Sequence, residues 1–198
     1  MKKIVCFLFT SCLLLSANAA NAGPILSASG TFGGSNYDIY SYEAGDDRSW
    51  DTAKTFATSV GGYLATITSL DEDSYIYSLA TALFPPEAWA EAWVGGSQTP
   101  GTTTATANWF WENAEGAIDG TNAGPNYANW LAGEPNDFGG PGAEQFLAIN
   151  LLGEFVWNDE GNIPSIGGFV VESAVPEPSA LILLTLGLVG LRLRRKQV

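Results

Sequence analysis

The stretch from Glu112 to Ala143 constrains the fold more than any other part of the chain. It shows little periodicity, and Gly, Asn, Pro and Ala dominate its composition. A segment of this length without secondary structure of its own is uncommon inside a compact domain, where it is either disordered or functional. Tyr127, Trp130 and the oxygen-rich residues near its end favour an ordered, functional loop. We therefore expect a domain whose helices and strands hold one long loop in place.

Two helices are predicted before this loop. Ser49 is a suitable N-cap and Gly61 a suitable C′ residue for the first helix. Its apolar residues recur at helical spacing and predict a buried stripe: Trp50, Ala53, Ala57 and Val60. A capping box at Ser69-Leu70-Asp71-Glu72 opens a second helix, which extends to about Phe84 before Pro85-Pro86 end it.

Short strands are predicted around and after these helices. They cover residues 37–42, 63–67, 92–96, 109–111, 145–150, 154–157 and 168–172. Two early helices followed by late strands and a long loop predict the α+β class.

The first 22 residues have the organisation of a secretory signal peptide. Lys2 and Lys3 precede an apolar run from Ile4 to Leu15, and small residues then allow cleavage after Ala19 or after Ala22. A short membrane anchor is the alternative, which the small residues disfavour. Both cysteines, Cys6 and Cys12, lie inside this segment, so the exported domain is expected to be disulfide-free.

The other end of the chain, residues 175–198, has three parts in a specific order. Pro176-Glu177-Pro178 precedes the apolar run Ala180–Leu191, and a basic cluster closes the chain: Arg192, Arg194, Arg195 and Lys196. These residues resemble the PEP-CTERM sorting signal. The resemblance implies an exported, secreted or surface protein of a Gram-negative bacterium that makes exopolysaccharide. It also implies that an exosortase-type transpeptidase removes the tail.

Residues 180–191 would then contact the inner membrane only transiently, with the basic cluster on the cytoplasmic side. The alternative is a permanent C-terminal anchor. The apolar run is short for that role, because a membrane span usually needs about 17–25 residues.

The charge balance excludes nucleic acid as a partner. The chain has 8 Lys and Arg against 21 Asp and Glu, and its formal net charge is −13. Outside the two terminal segments, Arg48 and Lys54 are the only basic residues. Binding to nucleic acid requires a basic surface, whereas an acidic domain is compatible with cation binding outside the cell.

Two short clusters supply candidate ligands for a metal ion. Glu134-Pro135-Asn136-Asp137 and Trp157-Asn158-Asp159 flank Glu144, and the chain has no histidine. Carboxylate and carboxamide oxygens suit Ca²⁺, whereas zinc and copper prefer nitrogen or sulfur ligands. Taken singly, each cluster is also compatible with a turn, at residues 133–137 and 158–161. Trp130 and Trp157 are more typical of core packing than of a sugar-binding surface.

Residues 36–174 resemble a C-type lectin-like domain. The resemblance rests on an ordered series of motifs: Trp50 and Ala53, Gly61–Ile67, Trp93–Gly96, Tyr127–Trp130, Gly133–Asn136, Glu144, Trp157–Asp159 and Gly168–Glu172. It implies the C-type lectin-like fold. Two disulfides of the family are missing, and their places correspond to Ala57 with Val171 and Phe146 with Ile163.

In the sugar-binding branch of this family, one Ca²⁺ is held by residues that match five positions here: Glu134, Asn136, Glu144, Asn158 and Asp159. The same five would bind a saccharide through two vicinal hydroxyls. Glu-Pro-Asn implies mannose, fucose, glucose or N-acetylglucosamine type sugars, and Pro135 is expected in a cis bond. A second Ca²⁺ is disfavoured, because Gln145 stands where an acid is expected, although Asp137 fits.

The function that these features favour is Ca²⁺-dependent carbohydrate binding near an exopolysaccharide matrix. The alternative is a lectin-like fold that binds protein or mediates adhesion, with calcium structural or absent. An enzyme, such as a glycosidase using two carboxylates, is disfavoured. The chain has no histidine, and a carboxylate bound to a cation has a lowered pKa and is a poor general acid.

Overall fold

The computed structural model describes residues 23–80, 91–149, 154–162 and 166–175. The predicted signal peptide, the predicted helix end at Phe84, Ile163 and the sorting tail from residue 176 lie outside these ranges. Within the described ranges, no helix combines the length and the apolar character that a membrane crossing requires.

The described residues form two α-helices and nine β-strands. The helices are α1 (Trp50–Ser59) and α2 (Leu70–Ala80). The strands before the long loop are β1 (Ile25–Phe32), β2 (Ser35–Ser41), β3 (Tyr63–Leu64), β4 (Ala92–Gln98) and β5 (Trp109–Trp111). Within and after it lie β6 (Ala117–Ile118), β7 (Phe146–Ile149), β8 (Trp157–Glu160) and β9 (Gly168–Ala174). The predicted α+β class is confirmed, and no disulfide occurs in the described part of the chain, since neither cysteine lies there.

The sheet joins the two ends of the domain. β2 pairs with β9 in antiparallel register from Ser35↔Ala174 to Ser41↔Gly168, and β1 covers the outer edge of β2. β4 lies parallel to β9, and its other pairings are antiparallel, with β5 and β7. β8 pairs only with β7 within the sheet, from Phe146↔Glu160 to Ile149↔Trp157. The end of the sheet that carries β7 and β8 therefore supports the long loop.

Both helices begin with the caps that the sequence predicts. The Ser49 side chain accepts a hydrogen bond from the Thr52 backbone N–H at the start of α1. At α2, the Ser69 hydroxyl accepts from the Glu72 N–H at 3.2 Å. The Glu72 carboxylate reaches back to the Thr68 N–H at 2.7 Å, one residue earlier than a standard capping box.

The core consists of two clusters of buried side chains. One contains Trp109, Trp111, Trp130 and Trp157 from the loop side of the sheet. The other lies under α1 and contains Trp50, Ala57, Trp93, Phe169 and Val171. Ala57 and Val171, which match one missing disulfide, thus share a cluster. Phe146, from the second pair, stacks on Trp50 with ring centroids 4.8 Å apart.

Several predicted boundaries are wrong. Val60 is 47% exposed rather than buried, because α1 ends at Ser59 and Val60 is its C-cap. The strand predicted at residues 154–157 lies at Trp157–Glu160, where backbone pairing with β7 overrides the polar sequence. β1 was not predicted, because it is an edge strand with a mostly exposed, weakly alternating sequence.

Candidate functional site

The long loop is ordered at its C-terminal end by pairing with β8. The Trp157 N–H donates to the Asn129 carbonyl at 2.7 Å, and the Leu131 N–H donates to the Trp157 carbonyl at 3.0 Å. The Trp130 indole N–H donates to the Asp119 carbonyl at 2.7 Å. Trp130 and Trp157 are 2% and 0% exposed, so both belong to the core, as the sequence indicates. This pairing brings the Glu134 and Asn158 clusters to the same edge.

A tight turn presents the first cluster. The Glu134 N–H donates to the Leu131 carbonyl at 2.9 Å, and Gly133 has a φ of 106°, which glycine adopts without strain. The Glu134–Pro135 bond is cis, as predicted. Pro135 is buried, whereas Asn136 is exposed, so the turn carries both apolar support and a solvent-facing amide.

Asp159 binds the backbone of this turn. Its carboxylate accepts hydrogen bonds from the Asn136 N–H at 2.9 and 3.0 Å and from the Asp137 N–H at 2.8 Å. The side chain is fully buried. Two predicted site residues from separate clusters are therefore in direct contact.

Glu144 closes the other side of the turn. Its carboxylate accepts from the Phe138 N–H at 2.5 Å, and its own N–H donates to the Asp137 carboxylate at 3.2 Å. Phe138 itself is 82% exposed. Residues 137–144 thus form a loop whose backbone is bound by acidic side chains and whose aromatic ring faces solvent.

Asn158 has different partners from Asp159. Its amide nitrogen donates to Glu91 at 3.1 Å and to Glu160 at 3.0 Å. Alternate residues of a strand share a face, which places Asn158 beside Glu160. The alternative of a hairpin turn at residues 158–161 is wrong, because Asn158–Glu160 lie within β8.

Glu91 and Glu160 are the site residues that sequence reasoning misses. They are 4% and 8% exposed. Strand alternation from Asn158 could have identified Glu160, had residues 157–160 been recognised as a strand. No sequence signal marks Glu91, which reaches the site from the start of β4, far away in the chain.

The acids of the site share an environment that disfavours negative charge. Burial and repulsion from Asp159 raise the pKa of Glu134 to about 7. Burial and repulsion from Asp159 and Glu160 raise the pKa of Glu144 to about 7, against a hydrogen bond from the Phe138 N–H. Burial and the neighbouring Glu91 raise the pKa of Glu160 to about 8. Burial also raises the pKa of Asp159.

The two basic residues of the domain have partners of their own. Lys54 forms an ion pair with Glu112 at 2.6 Å, and Arg48 donates to the Ile166 carbonyl at 3.1 Å and lies over the Tyr42 ring. A proton or a cation bound near these acids would relieve their mutual repulsion.

Two buried carboxylate oxygens of the site are suited to bind a cation. Glu134 Oε2 and Asp137 Oδ2 are buried and have no hydrogen-bond partner. A buried oxygen without a partner is costly, and a metal ion would satisfy it. In the described ranges, however, no three acidic, histidine or cysteine side chains converge as a ready-made metal-binding group. The donor chemistry of the site therefore suits Ca²⁺.

The C-terminal segment matches a known sorting motif. Residues 174–196 match the PEP-CTERM protein-sorting motif. This motif marks an exported protein with a C-terminal sorting tail. The resemblance of this segment is thereby confirmed.

Sequence relatives match more than half of the chain. Halomucin from Haloquadratum walsbyi is 31% identical over 152 residues, which are 70% of this chain and 2% of that protein. Ladderlectin from Oncorhynchus mykiss is 30% identical over 112 residues, 57% of this chain. The chain spans about half of ladderlectin and a very small part of halomucin.

Solved structures establish the fold. The mouse scavenger receptor C-type lectin carbohydrate-recognition domain aligns with a TM-score of 0.53, 20% identity and coverage of 76% of this chain and 97% of its own. Herring type II antifreeze protein aligns with a TM-score of 0.55 and 19% identity, over 75% of this chain and 98% of its own. The cow carbohydrate-recognition domain of CD23, in the presence of GlcNAc2Man3 oligosaccharide, aligns with a TM-score of 0.55 and 22% identity. The alignment covers 76% of this chain and 95% of that domain. The predicted C-type lectin-like fold is confirmed.

Proposed function

We propose that this chain is an exported, Ca²⁺-dependent carbohydrate-binding protein. The observation that carries the proposal is the buried acidic cluster around Asp159, in which a carboxylate oxygen of the predicted ligand Glu134 lacks a hydrogen-bond partner. Burial without a counter-charge is unfavourable for these acids. A calcium ion supplies that charge and accepts the oxygen ligands that the cluster offers.

One Ca²⁺ would be held by the five predicted residues, listed by chain order: Glu134, Asn136, Glu144, Asn158 and Asp159. Asn158 already uses its amide nitrogen toward Glu91 and Glu160, so its amide oxygen is the atom suited to the ion. Bound calcium would lower the pKa of each carboxylate that it touches. We propose no second ion.

The ligand class is a sugar with two vicinal hydroxyls, of the mannose, fucose, glucose or N-acetylglucosamine type. Each hydroxyl can bind the ion, donate to a carboxylate and accept from a side-chain amide. Phe138 lies beside these groups and offers an exposed ring to the apolar face of a sugar. Carbohydrate-recognition domains of the same fold support this class.

The sorting motif supports a place at the cell surface or in the exopolysaccharide of a Gram-negative bacterium. In this proposal, residues 1–22 are removed as a signal peptide and residues 180–191 hold the chain transiently at the inner membrane. An exosortase-type enzyme then cleaves the tail.

Calorimetry on the exported protein, freed of metal, tests the proposal. We expect one calcium ion to bind per chain, and mannose to release heat only when calcium is present. Galactose is the matched control, because it differs from the mannose type in the arrangement of its hydroxyls. Heat from mannose that persists in chelator would contradict the proposed site.

A second candidate is a lectin-like domain that binds protein, with calcium structural or absent. One observation favours it: herring type II antifreeze protein shares the fold. The same titration separates the candidates. Absence of sugar heat with mannose, fucose, glucose and N-acetylglucosamine would support the second.

A further inference from the structure

Asp73 is a buried acid on α2 that contacts both chain segments flanking the candidate site. It is 1% exposed. Its Oδ2 atom accepts hydrogen bonds from the Tyr127 hydroxyl at 2.8 Å, the Asn129 amide at 3.0 Å and the Trp157 indole at 3.1 Å. Tyr127 and Asn129 belong to the long loop, whereas Trp157 begins β8.

These three donors precede the candidate ligands by a few residues in the chain. Asn129 precedes the turn that presents Glu134, and Trp157 directly precedes Asn158. Asn129 also donates to the Phe155 carbonyl at 2.9 Å, and the ring centroids of Tyr127 and Trp157 are 5.5 Å apart. The loop and β8 therefore both bind one carboxylate oxygen of Asp73 just before each of them reaches the site.

An acid at this position is unfavourable for stability alone. Burial raises the pKa of Asp73 to about 6, even though its three hydrogen bonds act in the opposite direction. An apolar side chain of similar size would avoid the desolvation of a charge. It could not, however, bind three polar donors from two segments and so specify their alignment.

We propose that Asp73 is a positioning residue of the candidate site: it sets the alignment of the long loop against β8, so that the Glu134 turn meets Asp159. This inference rests on the proposed function. It assigns to α2, which supplies none of the predicted ligands, a role in cation and sugar binding. Outer groups that orient metal ligands commonly change metal affinity about 10–100-fold when removed.

Calcium titration of the full exported protein carrying Asp73→Asn tests this role. Asparagine keeps the size of the side chain, but its nitrogen cannot accept a hydrogen bond and its oxygen carries no charge. We expect calcium affinity to fall by about tenfold or more. The NMR signal of the Trp157 indole N–H should also shift and lose protection from hydrogen exchange, because its acceptor is altered.

Ile76→Val is the matched control. Ile76 lies one turn further along α2 and is fully buried, so the substitution lowers stability without touching the three donors. Its calcium affinity should stay within about twofold of the wild type. Equal calcium affinities for Asp73→Asn and Ile76→Val would overturn the inference and leave the proposed function intact. Failure of the wild-type protein to bind calcium would overturn both.

Tyr127→Phe tests the positioning role of Asp73 if Asp73→Asn does not fold. It removes one donor to Asp73 and keeps the ring that packs on Trp157. We expect a loss of calcium affinity that is larger than that of Ile76→Val. An unchanged affinity for Tyr127→Phe would contradict the proposed role of Asp73.

Discussion

At the scale of single residues, Asp159 has the most demanding position in the site. It is fully buried, it belongs to β8, and it binds the backbone N–H groups of Asn136 and Asp137 from the facing turn. Those N–H groups favour its charged form, whereas burial opposes it, and burial dominates because the pKa is raised. One carboxylate therefore joins the turn to the strand and provides the negative charge that a cation needs.

Asp159→Asn should weaken calcium binding more than about tenfold, since the loss of a charged ligand exceeds the 1.4 kcal/mol that a factor of ten represents. The asparagine oxygen can still accept hydrogen bonds from the turn, so the fold should be retained. Calorimetry measures the affinity and circular dichroism checks the fold. Asp51→Asn, on the exposed side of α1, is the control and should bind calcium as the wild type does. Equal affinities for the two variants would remove Asp159 from the site.

Phe138→Ala should weaken sugar binding by about three- to tenfold, because stacking on an aromatic ring contributes about 0.5–1.5 kcal/mol. Calcium affinity should not change, since Glu144 is bound by the Phe138 backbone N–H and not by its ring. Paired titrations with calcium and with mannose measure the two effects. Unchanged mannose affinity would show that the exposed ring is no part of a sugar site.

At the scale of helices and strands, elements with local sequence signals are predicted correctly, whereas elements that depend on long-range pairing are not. The α1 and α2 caps are local and are predicted from Ser49 and Ser69. The position of β8 is set by long-range pairing and not by local sequence. Trp157–Glu160 is polar and resembles a turn, and it forms a strand because it pairs with β7. Because β8 is not recognised in the sequence, Glu160 is also not recognised as a neighbour of Asn158. Glu91 is hidden because it approaches through the sheet from β4.

The link between α2 and β8 predicts a pH dependence of stability. In the folded chain the pKa of Asp73 is about 6, against an ordinary value of 3.8. Between these values the folded state binds a proton that the unfolded state has lost. The stability from this group is therefore complete below about pH 3.8 and is lost as the pH rises through about 6, a change of about 3 kcal/mol.

Urea unfolding in chelator at pH 4 and pH 7 measures this change. Asp73→Asn cannot titrate, so its stability should fall less between the two pH values than that of the wild type. The other acids with raised pKa act in the same direction in both proteins and cancel in the comparison. Parallel pH profiles for the two proteins would show that Asp73 does not titrate in this range.

At the scale of the whole molecule, side-chain packing and strand pairing hold the described part of the domain together without a disulfide. Ala57 and Val171 share the cluster under α1, and Phe146 stacks on Trp50. Pairing of β2 with β9 joins the two ends of the domain. None of these contacts reaches the turn at Glu134, which the acidic side chains of Asp159 and Glu144 hold. Without a cation, we expect this turn to be the least stable part of the domain.

Calcium should therefore stabilise the domain as a reversible cross-link between the turn and β8. A ligand that binds only the folded state adds about 2.7 kcal/mol at a hundredfold excess over its Kd, which corresponds to a rise in Tm of about 5–10 °C. Calorimetric melting of the exported protein with calcium, and again after chelation, measures this rise and its reversal. Asp159→Asn should show a much smaller rise at the same calcium concentration. An equal rise in that variant would locate the stabilising ion elsewhere, and magnesium at the same ionic strength controls for screening of the acidic surface.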